Sequence, residues 1–251
     1  MEDIQRFFFG KNTVDNLSES EYAQSGNYLE ILRAISRLSY MSMYVIDYQL
    51  KEFEYVSDNP LFLCNHTPEE VMALGYAFYF KYVAEEDLEM LIRINEIGFK
   101  FFDQTPLDER KSYSISYDFN LQNGKEKILV NHKLTPVFIT SEGKIWKALC
   151  VVSLSSNSCS GNIILSKTGG NSFWELDLSA GVWHKIDKMK LTDRELQIIR
   201  LYAQGLPIKK IAEQMFISID TVKFHRRKLF DKLQVKTIAE ALAYVKNNKL
   251  L

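Results

Sequence analysis

The sequence predicts an α+β protein in which a body built on an antiparallel sheet precedes a small all-α domain. The stretch SYSISYDFNLQ (112–122) alternates apolar and polar residues, which is typical of a strand with one buried and one wet face. From about Met189 onward the apolar spacing is helical instead. Charge also separates the two parts, because residues 188–251 carry a net charge of +8 and residues 1–187 carry −9. A basic tail on an acidic body favours a polyanion as the partner of the tail.

Length, hydropathy and cysteine content limit the kinds of protein that this chain can be. Its 251 residues suffice for two modest domains. No apolar run approaches the roughly 20 residues of a membrane span, and the N-terminus lacks a basic region with a cleavage site. The three cysteines, Cys64, Cys150 and Cys159, form no C-x-x-C pair, so neither disulfides nor a metal site are expected. We therefore expect a cytoplasmic protein without a membrane partner.

Residues 1–41 are predicted to form a helical segment, because apolar side chains recur there at helical spacing. MYVID and EFEYVS then predict two strands joined by a turn near residues 49–51. The sequence TPEE (67–70) offers an N-cap, a proline in the first turn and a capping glutamate, so a helix is expected to begin there. A longer helix is expected over about Glu85–Phe102. The apolar side chains of the first segment are Leu29, Ile31, Leu32, Ile35 and Leu38.

The middle of the chain has the pattern of an antiparallel meander. Asn123-Gly124 is a strong hairpin signal, and two further strand patterns follow it, separated by a turn at Ser141–Gly143. Residues 42–155 are accordingly expected to form one domain. The chain then becomes rich in Ser, Asn and Gly, which marks a domain edge. We therefore expect residues 156–187 to be a linker that carries a β-hairpin.

Residues 188–251 are predicted to form a domain of four helices. Thr192 and Glu195 make a capping box for the first helix, whose buried stripe is expected to contain Leu196, Ile199 and Ala203. A short second helix follows, and Ser218 is a good N-cap for the third. A short helix, a tight turn and a basic helix form the helix-turn-helix arrangement, whose second helix enters the major groove of DNA.

The third helix combines an apolar stripe with a basic face. Val222, Leu229 and Leu233 recur on one side and are expected to be core. Lys223 and Arg227 lie four residues apart on the other side. This pairing of faces is expected of a helix that a small domain holds against DNA.

Several short motifs at fixed spacing run through this domain. They are LTDRE at 191–195, Gly205, IA at 211–212, IS at 217–218, TVK at 221–223, His225 and KL at 232–233. By these motifs residues 188–251 resemble the four-helix DNA-binding domain of LuxR/GerE-type transcription regulators. The chain departs from that pattern at three places, where the family usually has a Ser, a Glu and a Gly. Those places hold Pro207 or Leu206, Lys210 and Gln234.

The resemblance implies which side chains meet DNA. Lys223, Phe224 and Arg227 occupy the base-facing positions, where Lys or Arg donates to guanine and Phe contacts a thymine methyl group. For His225, a packed and hydrogen-bonded role stays open beside a phosphate contact. Side chains that contact phosphates set the register on DNA rather than the sequence preference. The phosphate-contacting residues implied are Ser218, Thr221, His225, Arg226 and Lys228.

The body resembles a PAS domain in the order of its elements. Two strands, short helices, a longer helix and a three-strand meander occupy 42–155. The resemblance implies a cupped sheet that holds a ligand or pairs with a second subunit. The segment GYAFYFKY lacks the cysteine of the flavin-binding light sensors, and His66, His132 and His184 lack ligand spacing, so no cofactor is expected. The many Tyr and Phe residues line either an aromatic pocket or a plain aromatic core.

The sequence therefore predicts a sequence-specific, dimeric, DNA-binding transcription regulator with a PAS-like sensor or dimerisation domain. Double-stranded DNA and a second copy of the chain are the expected partners. RNA polymerase and a small-molecule ligand of the PAS-like domain stay open. The alternatives are a sigma-like promoter-recognition factor and a protein-interaction module. No nucleophile elbow, phosphate loop or metal spacing occurs, so we expect no enzymatic activity.

Overall fold

The chain divides into two units, residues 1–186 and residues 187–251. The computed structural model describes residues 2–7, 12–14, 17–24, 27–247 and 250. Within those ranges, no helix is both long enough and apolar enough to cross a membrane.

An antiparallel sheet forms the framework of the first unit, and its strands lie in the order β2-β1-β5-β4-β3-β6-β7-β8. Among the first five strands in this order β5 is central, paired with β1 on one side and with β4 of the β3–β5 meander on the other. The eight strands found in the described residues are β1 Ser42–Asp47, β2 Glu52–Val56, β3 Tyr113–Asn123, β4 Glu126–Ile139, β5 Ile145–Leu154, β6 Gly161–Lys167, β7 Ser172–Asp177 and β8 Val182–Asp187.

Helices precede the sheet and connect β2 to β3. The capping box predicted at Thr67 and Glu70 is confirmed and starts α4. The long helix expected from Glu85 is also confirmed, and it runs two residues beyond the predicted end. The helices are α1 Glu2–Gln5, α2 Glu19–Gln24, α3 Tyr28–Leu38, α4 Pro68–Leu74, α5 Ala77–Tyr82 and α6 Glu85–Gln104, with short 3-10 turns at Pro60–Phe62 and Arg110–Ser112.

These pairings confirm the predicted PAS-like arrangement. Two strands lead through short helices and one long helix into a three-strand meander that pairs back onto β1. The core between the sheet and the helices is rich in aromatic side chains, since the largest fully buried ones include Tyr44, Phe62, Phe78 and Phe119. Burial of such rings supplies the main driving force for folding this unit.

The segment 156–187 differs from the expected linker. The hairpin around Ser179–Gly181 is present as β7 and β8, but β6 pairs with the outer edge of β3 and β7 pairs with β6. Ile163 and Leu165 are buried there. A strand edge left open at β3 would expose unpaired backbone groups, which explains why these strands continue the sheet.

The prediction that the polar side chains of β3 face solvent is wrong for Asp118. This side chain is fully buried, although Tyr117, Phe119 and Leu121 face the core as expected. Its carboxylate accepts hydrogen bonds from three amide side chains, which replace the water that it loses. The donors are Nδ2 of Asn131 at 2.8 Å, of Asn157 at 2.6 Å and of Asn162 at 2.9 Å.

The apolar stripe predicted near the N-terminus is only partly buried. Leu32 packs on the outer face of β1 and β2 with Met43 and Tyr55. Ile31, Ile35 and Leu38 face outward, and their exposed fractions are 63%, 45% and 89%. The helix contacts the sheet through a narrow side only, so spacing alone overestimates its buried face. We call Ile31, Ile35 and Leu38 the α3 stripe.

The second unit consists of four helices around two small cores. Ile198, Ile211 and Val222 belong to one core, and Leu229 and Leu233 belong to the other. The stripe predicted for α7 is confirmed at Ile199 alone, since Leu196 is half-buried and Ala203 is exposed. The helices are α7 Asp193–Ala203, α8 Ile208–Gln214, α9 Ile219–Leu233 and α10 Ile238–Asn247.

Candidate nucleic-acid interface

Helix α9 is held in place by one apolar side. Val222, Leu229 and Leu233 are at most 3% exposed, as the sequence predicted. Ser218 caps the helix start, because its Oγ accepts a hydrogen bond from the backbone N–H of Thr221 at 3.1 Å. The opposite side of α9 is therefore presented on a fixed support.

The turn between α8 and α9 is tight and strained. The N–H of Ile217 donates to the carbonyl of Ala212 at 3.0 Å, and the N–H of Phe216 donates to Glu213 at 3.2 Å. These two bonds close a Schellman motif and require a left-handed residue at Phe216, whose φ is 54°. A bulky aromatic residue adopts that conformation at a cost, since its Cβ crowds the next carbonyl. Phe216 is also 95% exposed, so no packing offsets that cost.

An ion pair ties α9 to the start of α7. Nζ of Lys232 lies 2.8 Å from Oε2 of Glu195, and the same oxygen accepts the N–H of Thr192 at 2.8 Å. Burial favours a higher pKa for Glu195, but the hydrogen bonds from Lys232 and Thr192 outweigh it, so the pKa is lowered. Lys232 therefore belongs to the support of α9 rather than to its free surface.

The base-facing residues expected on α9 all point away from its core side. Lys223, Phe224 and Arg227 are exposed, and Phe224 keeps 52% of its surface accessible. Nζ of Lys228 lies over the Phe224 ring, 4.7 Å from its centroid. Arg227 makes neither a hydrogen bond nor an ion pair with any residue that the structure describes. Its guanidinium is free to form a two-point contact with a base edge.

One partner of this surface was missed from the sequence. Oδ1 of Asp220 lies 3.1 Å from Nζ of Lys223. The spacing i, i+3 on a helix is the signal that predicts such a pair. Asp220 neutralises one of the two cations expected to face bases, and it places a carboxylate beside the exposed basic side of α9.

The residues implied as phosphate contacts differ in exposure. Ser218 and Lys228 are exposed, whereas Thr221, His225 and Arg226 are half-buried. The hydroxyl of Ser218 already caps α9 and lies 2.8 Å from the hydroxyl of Thr221. The His225 ring packs edge-on against the Phe224 ring, with centroids 5.7 Å apart. This contact is with an exposed neighbouring side chain, so both roles left open for His225 stay predictions.

Two departures from the family pattern have visible effects. Pro207 occupies the N-cap of α8 and contributes no side-chain hydrogen bond there. Gln234 ends α9 with a left-handed φ of 55°, a conformation that a glycine adopts without strain. Its Nε2 donates to the carbonyl of Asp231 at 2.7 Å. The third departure, Lys210, pairs with Glu213 at 2.8 Å.

A short helix, a turn of four residues and a longer basic helix across a supporting helix define a helix-turn-helix domain. Residues 189–245 match the family model described as "Bacterial regulatory proteins, luxR family". The second unit therefore belongs to the LuxR family of bacterial regulatory proteins.

Curated relatives match about a quarter of the chain. The Fimbriae Z protein of Salmonella typhimurium is 38% identical over 63 residues, which cover 25% of this chain and 30% of that protein. The oxygen regulatory protein NreC of Staphylococcus carnosus is 41% identical over 61 residues, which cover 24% and 28%. The chain thus spans less than a third of the length of these relatives.

Solved structures resemble the chain only loosely. A VqmA dimer of Vibrio cholerae, solved without its target DNA, aligns over 88% of both chains at 18% identity with a TM-score of 0.33. The PAS domain of Bordetella pertussis BvgS aligns over 53% of this chain and 89% of its own at 12% identity, with a TM-score of 0.36. Superpositions this loose establish nothing about function.

A cavity of about 60 Å³ lies inside the first unit, between α6 and the sheet. Its walls are mostly aromatic and aliphatic, with a few polar atoms from Asn95, Thr105 and Ser114. The sequence left open whether the aromatic residues of the first unit line a pocket or form a plain core. Most of them fill the core, and some line this cavity. Among the described residues, no group of three or more His, Cys, Asp or Glu side chains is placed to hold a metal ion.

Proposed function

We propose that this protein is a cytoplasmic transcription regulator that binds double-stranded DNA at specific sequences. The observation that carries the proposal is the exposed basic face of α9, held on a LuxR-family helix-turn-helix support. Lys223 and Arg227 lie one helical turn apart on that face, within reach of neighbouring base pairs. The net charge of +8 over 188–251 supplies the attraction to phosphates.

In this proposal, one set of side chains contacts the base edges and another set contacts the phosphates. Arg227 and Lys223 donate to guanine, and Phe224 contacts a thymine methyl group. Ser218, Thr221, His225, Arg226 and Lys228 lie on α9 or at its start and contact phosphates on either side of the groove. The phosphate contacts give affinity and a steep salt dependence, while the three base-facing side chains give the preference for sequence.

Dimerisation is the second part of the proposal, because helix-turn-helix proteins usually read two half-sites about one helical turn apart. Val245 on α10 is fully buried within the second unit, so it offers no surface to a second copy. The α3 stripe is the better candidate, since three large apolar side chains in a row on one helix lie open to solvent. We therefore assign the homodimer contact to α3.

Signal sensing by the body is the third part. The cavity beside α6 has the mostly apolar lining and few polar atoms of a small-molecule site, and its volume of about 60 Å³ limits it to a small ligand. A ligand that binds one arrangement of the body better than another shifts the population of dimers competent for DNA. RNA polymerase remains a proposed partner of the DNA-bound form.

Selection of bound sequences from a random DNA pool tests this function. The proposal expects an enriched motif with two-fold symmetry and binding that weakens steeply with salt. A protein-interaction module gives weak binding without enrichment. A sigma-like factor enriches promoter sequences only when RNA polymerase is added, so running the selection with and without the polymerase separates these alternatives.

A further inference from the structure

An aromatic slot in the first unit is filled by the protein's own Phe7. The Phe7 ring is 2% exposed and stacks on Tyr79, with centroids 5.3 Å apart and planes 20° from parallel. Phe80 meets it edge-on at 5.5 Å, and Tyr76 flanks it at 5.7 Å. The slot therefore has the shape and chemistry of a site for one flat ring.

The segment that brings Phe7 to this slot has weak polar attachments. Arg6 pairs with Glu89 at 2.7 Å, but both side chains are about half exposed, and such pairs contribute little. Asn95 Nδ2 reaches the Phe7 carbonyl at 3.5 Å, the far limit of a hydrogen bond. α1, just before Phe7, is only four residues long. Further along the chain, Asn12 is anchored by two hydrogen bonds with the backbone of Ile145. The Phe7 ring itself is held by stacking and core packing, so another ring can compete for its place.

A buried histidine borders the same space. Phe7 and His132 both line a cavity of about 10 Å³, together with Tyr117 and Asn95, and no charged residue is among its described walls. His132 is 1% exposed, and its Nε2 lies 2.6 Å from the Tyr44 hydroxyl. Its Nδ1 is buried and has no hydrogen-bond partner among the residues that the structure describes. An unpaired buried nitrogen is costly, so a ligand that satisfies it gains affinity.

We propose that Phe7 is an internal occupant of this slot, and that an uncharged single-ring aromatic ligand displaces it and hydrogen-bonds to His132 Nδ1. The inference rests on the proposed ligand sensing by the body, places the ligand in the Phe7 slot rather than in the cavity beside α6, and names the ligand class and the residue that competes with it.

The electrostatics of the slot select an uncharged ligand. Burial lowers the pKa of His132 to about 3, so the imidazole is neutral at physiological pH. Burial likewise raises the pKa of Tyr79 and Tyr117 far above the usual value for tyrosine, so neither is ionised. An ion in this slot would lose its hydration without an opposite charge to replace it. A hydroxyl group fits His132 in either tautomer, because it both donates and accepts.

Phenol and toluene are the probes, since they share a ring and differ in one hydroxyl group. We measure their affinities for the full-length protein, for Phe7→Ala and for Phe7→Ala combined with His132→Leu by isothermal titration calorimetry without DNA. The ¹⁵N shifts of the histidine side chains report whether the bound probe contacts His132. The His132 signal is assigned by its loss in His132→Leu. Removing Phe7 makes the slot available in every molecule, so phenol should bind Phe7→Ala about tenfold or more tighter than the unchanged protein. Phenol should shift the His132 nitrogen signals, and toluene should not.

Three outcomes decide the proposal. Tighter phenol binding to Phe7→Ala, with a preference for phenol over toluene that His132→Leu abolishes, supports it. Equal affinity for the two probes overturns the role of His132, and it indicates an apolar cavity made by the substitution. Equal binding of phenol with and without Phe7, or no binding at all, overturns the role of Phe7. If Phe7→Ala does not fold, Phe7→Leu keeps apolar bulk without a flat ring and gives the same comparison. None of these measurements involves DNA. A negative result would therefore overturn the proposed Phe7 slot without overturning the proposed DNA-binding function.

Discussion

Lys232 and Glu195 form an ion pair of 2.8 Å that joins the end of α9 to the first turn of α7. The side chain of Glu195 is only 9% exposed and that of Lys232 is 30% exposed. The pair therefore lies at the edge of the core. Because Glu195 also caps α7, one carboxylate fixes both the start of α7 and the end of α9.

Replacing Lys232 by Met should destabilise the second unit at neutral pH by roughly 1–2 kcal/mol, since a largely buried carboxylate loses its partner. The pKa of Glu195 is lowered from 4.5 in the folded protein. A lowered carboxylate pKa stabilises the fold above the unfolded value, and this contribution disappears as the pH falls through the folded value. The difference between Lys232→Met and the unchanged protein should therefore shrink below about pH 4.5. Urea unfolding at pH 7 and at pH 3.5 measures it.

Lys210→Met is the matched control for that experiment, because its partner Glu213 and Lys210 itself are both more than half exposed. Solvent screens such a pair, so the control should show little change at either pH. An equal loss of stability in both variants would mean that the Lys232 pair has no special role.

Phe216→Asn should stabilise the second unit by about 0.5–1 kcal/mol, because Asn tolerates the left-handed conformation better than a bulky aromatic residue does. No packing is lost, since Phe216 is 95% exposed. Phe224→Asn is the control, because it is also exposed but has a right-handed helical conformation. Thermal unfolding should rise by a few degrees for the first variant only. A fall in stability for Phe216→Asn would show that the ring has a contact that compensates its strain.

Asp220→Ala should increase DNA affinity several-fold at low salt, because Lys223 loses its ion-pair partner and a carboxylate leaves the DNA-facing side. Glu213→Ala removes a comparable ion pair from α8, away from that side, and should change affinity less. Filter-binding titrations at several salt concentrations compare the two variants. Weaker binding by Asp220→Ala would indicate that this carboxylate itself reads a base, such as the amino group of cytosine.

Asp118→Ala should destabilise the first unit by about 2–3 kcal/mol, since three amide side chains lose their shared acceptor. Asp58→Ala, at an exposed position, should have almost no effect. Amide hydrogen exchange should further show that the loss of protection is largest in β6, next to the Asn157 and Asn162 loop. Uniform loss across the sheet would contradict this local anchoring role.

Local patterns predicted most elements of both units. The capping boxes at Thr67 and Thr192 and the hairpin at Asn123-Gly124 depend on neighbouring residues, so the sequence contains all that is needed to recognise them. The helix-turn-helix was equally accessible, because the stripe of Val222, Leu229 and Leu233 and the basic face repeat within one helix.

Features that depend on distant parts of the chain were not predictable. Whether Asp118 is exposed or buried depends on β6, which pairs with β3 from a position some 45 residues later in the chain. The alternation of apolar and polar residues within β3 cannot show this. The exposure of the α3 stripe depends likewise on how little of α3 the sheet covers. Lys232 and Glu195 are 37 residues apart and meet only because α7 and α9 cross. Tertiary contacts of this kind override local periodicity.

The central claim is that the exposed face of α9 reads DNA sequence, and Arg227→Ala on the selected motif tests it most directly. We would measure the affinity of this variant and of the unchanged protein for the motif, for each single-base substitution of it, and for scrambled DNA. The account predicts a loss of roughly 1–3 kcal/mol on the motif, little change on scrambled DNA, and a flattened preference at one or two base pairs. An equal loss on every sequence would contradict the account, because it would make Arg227 a phosphate contact.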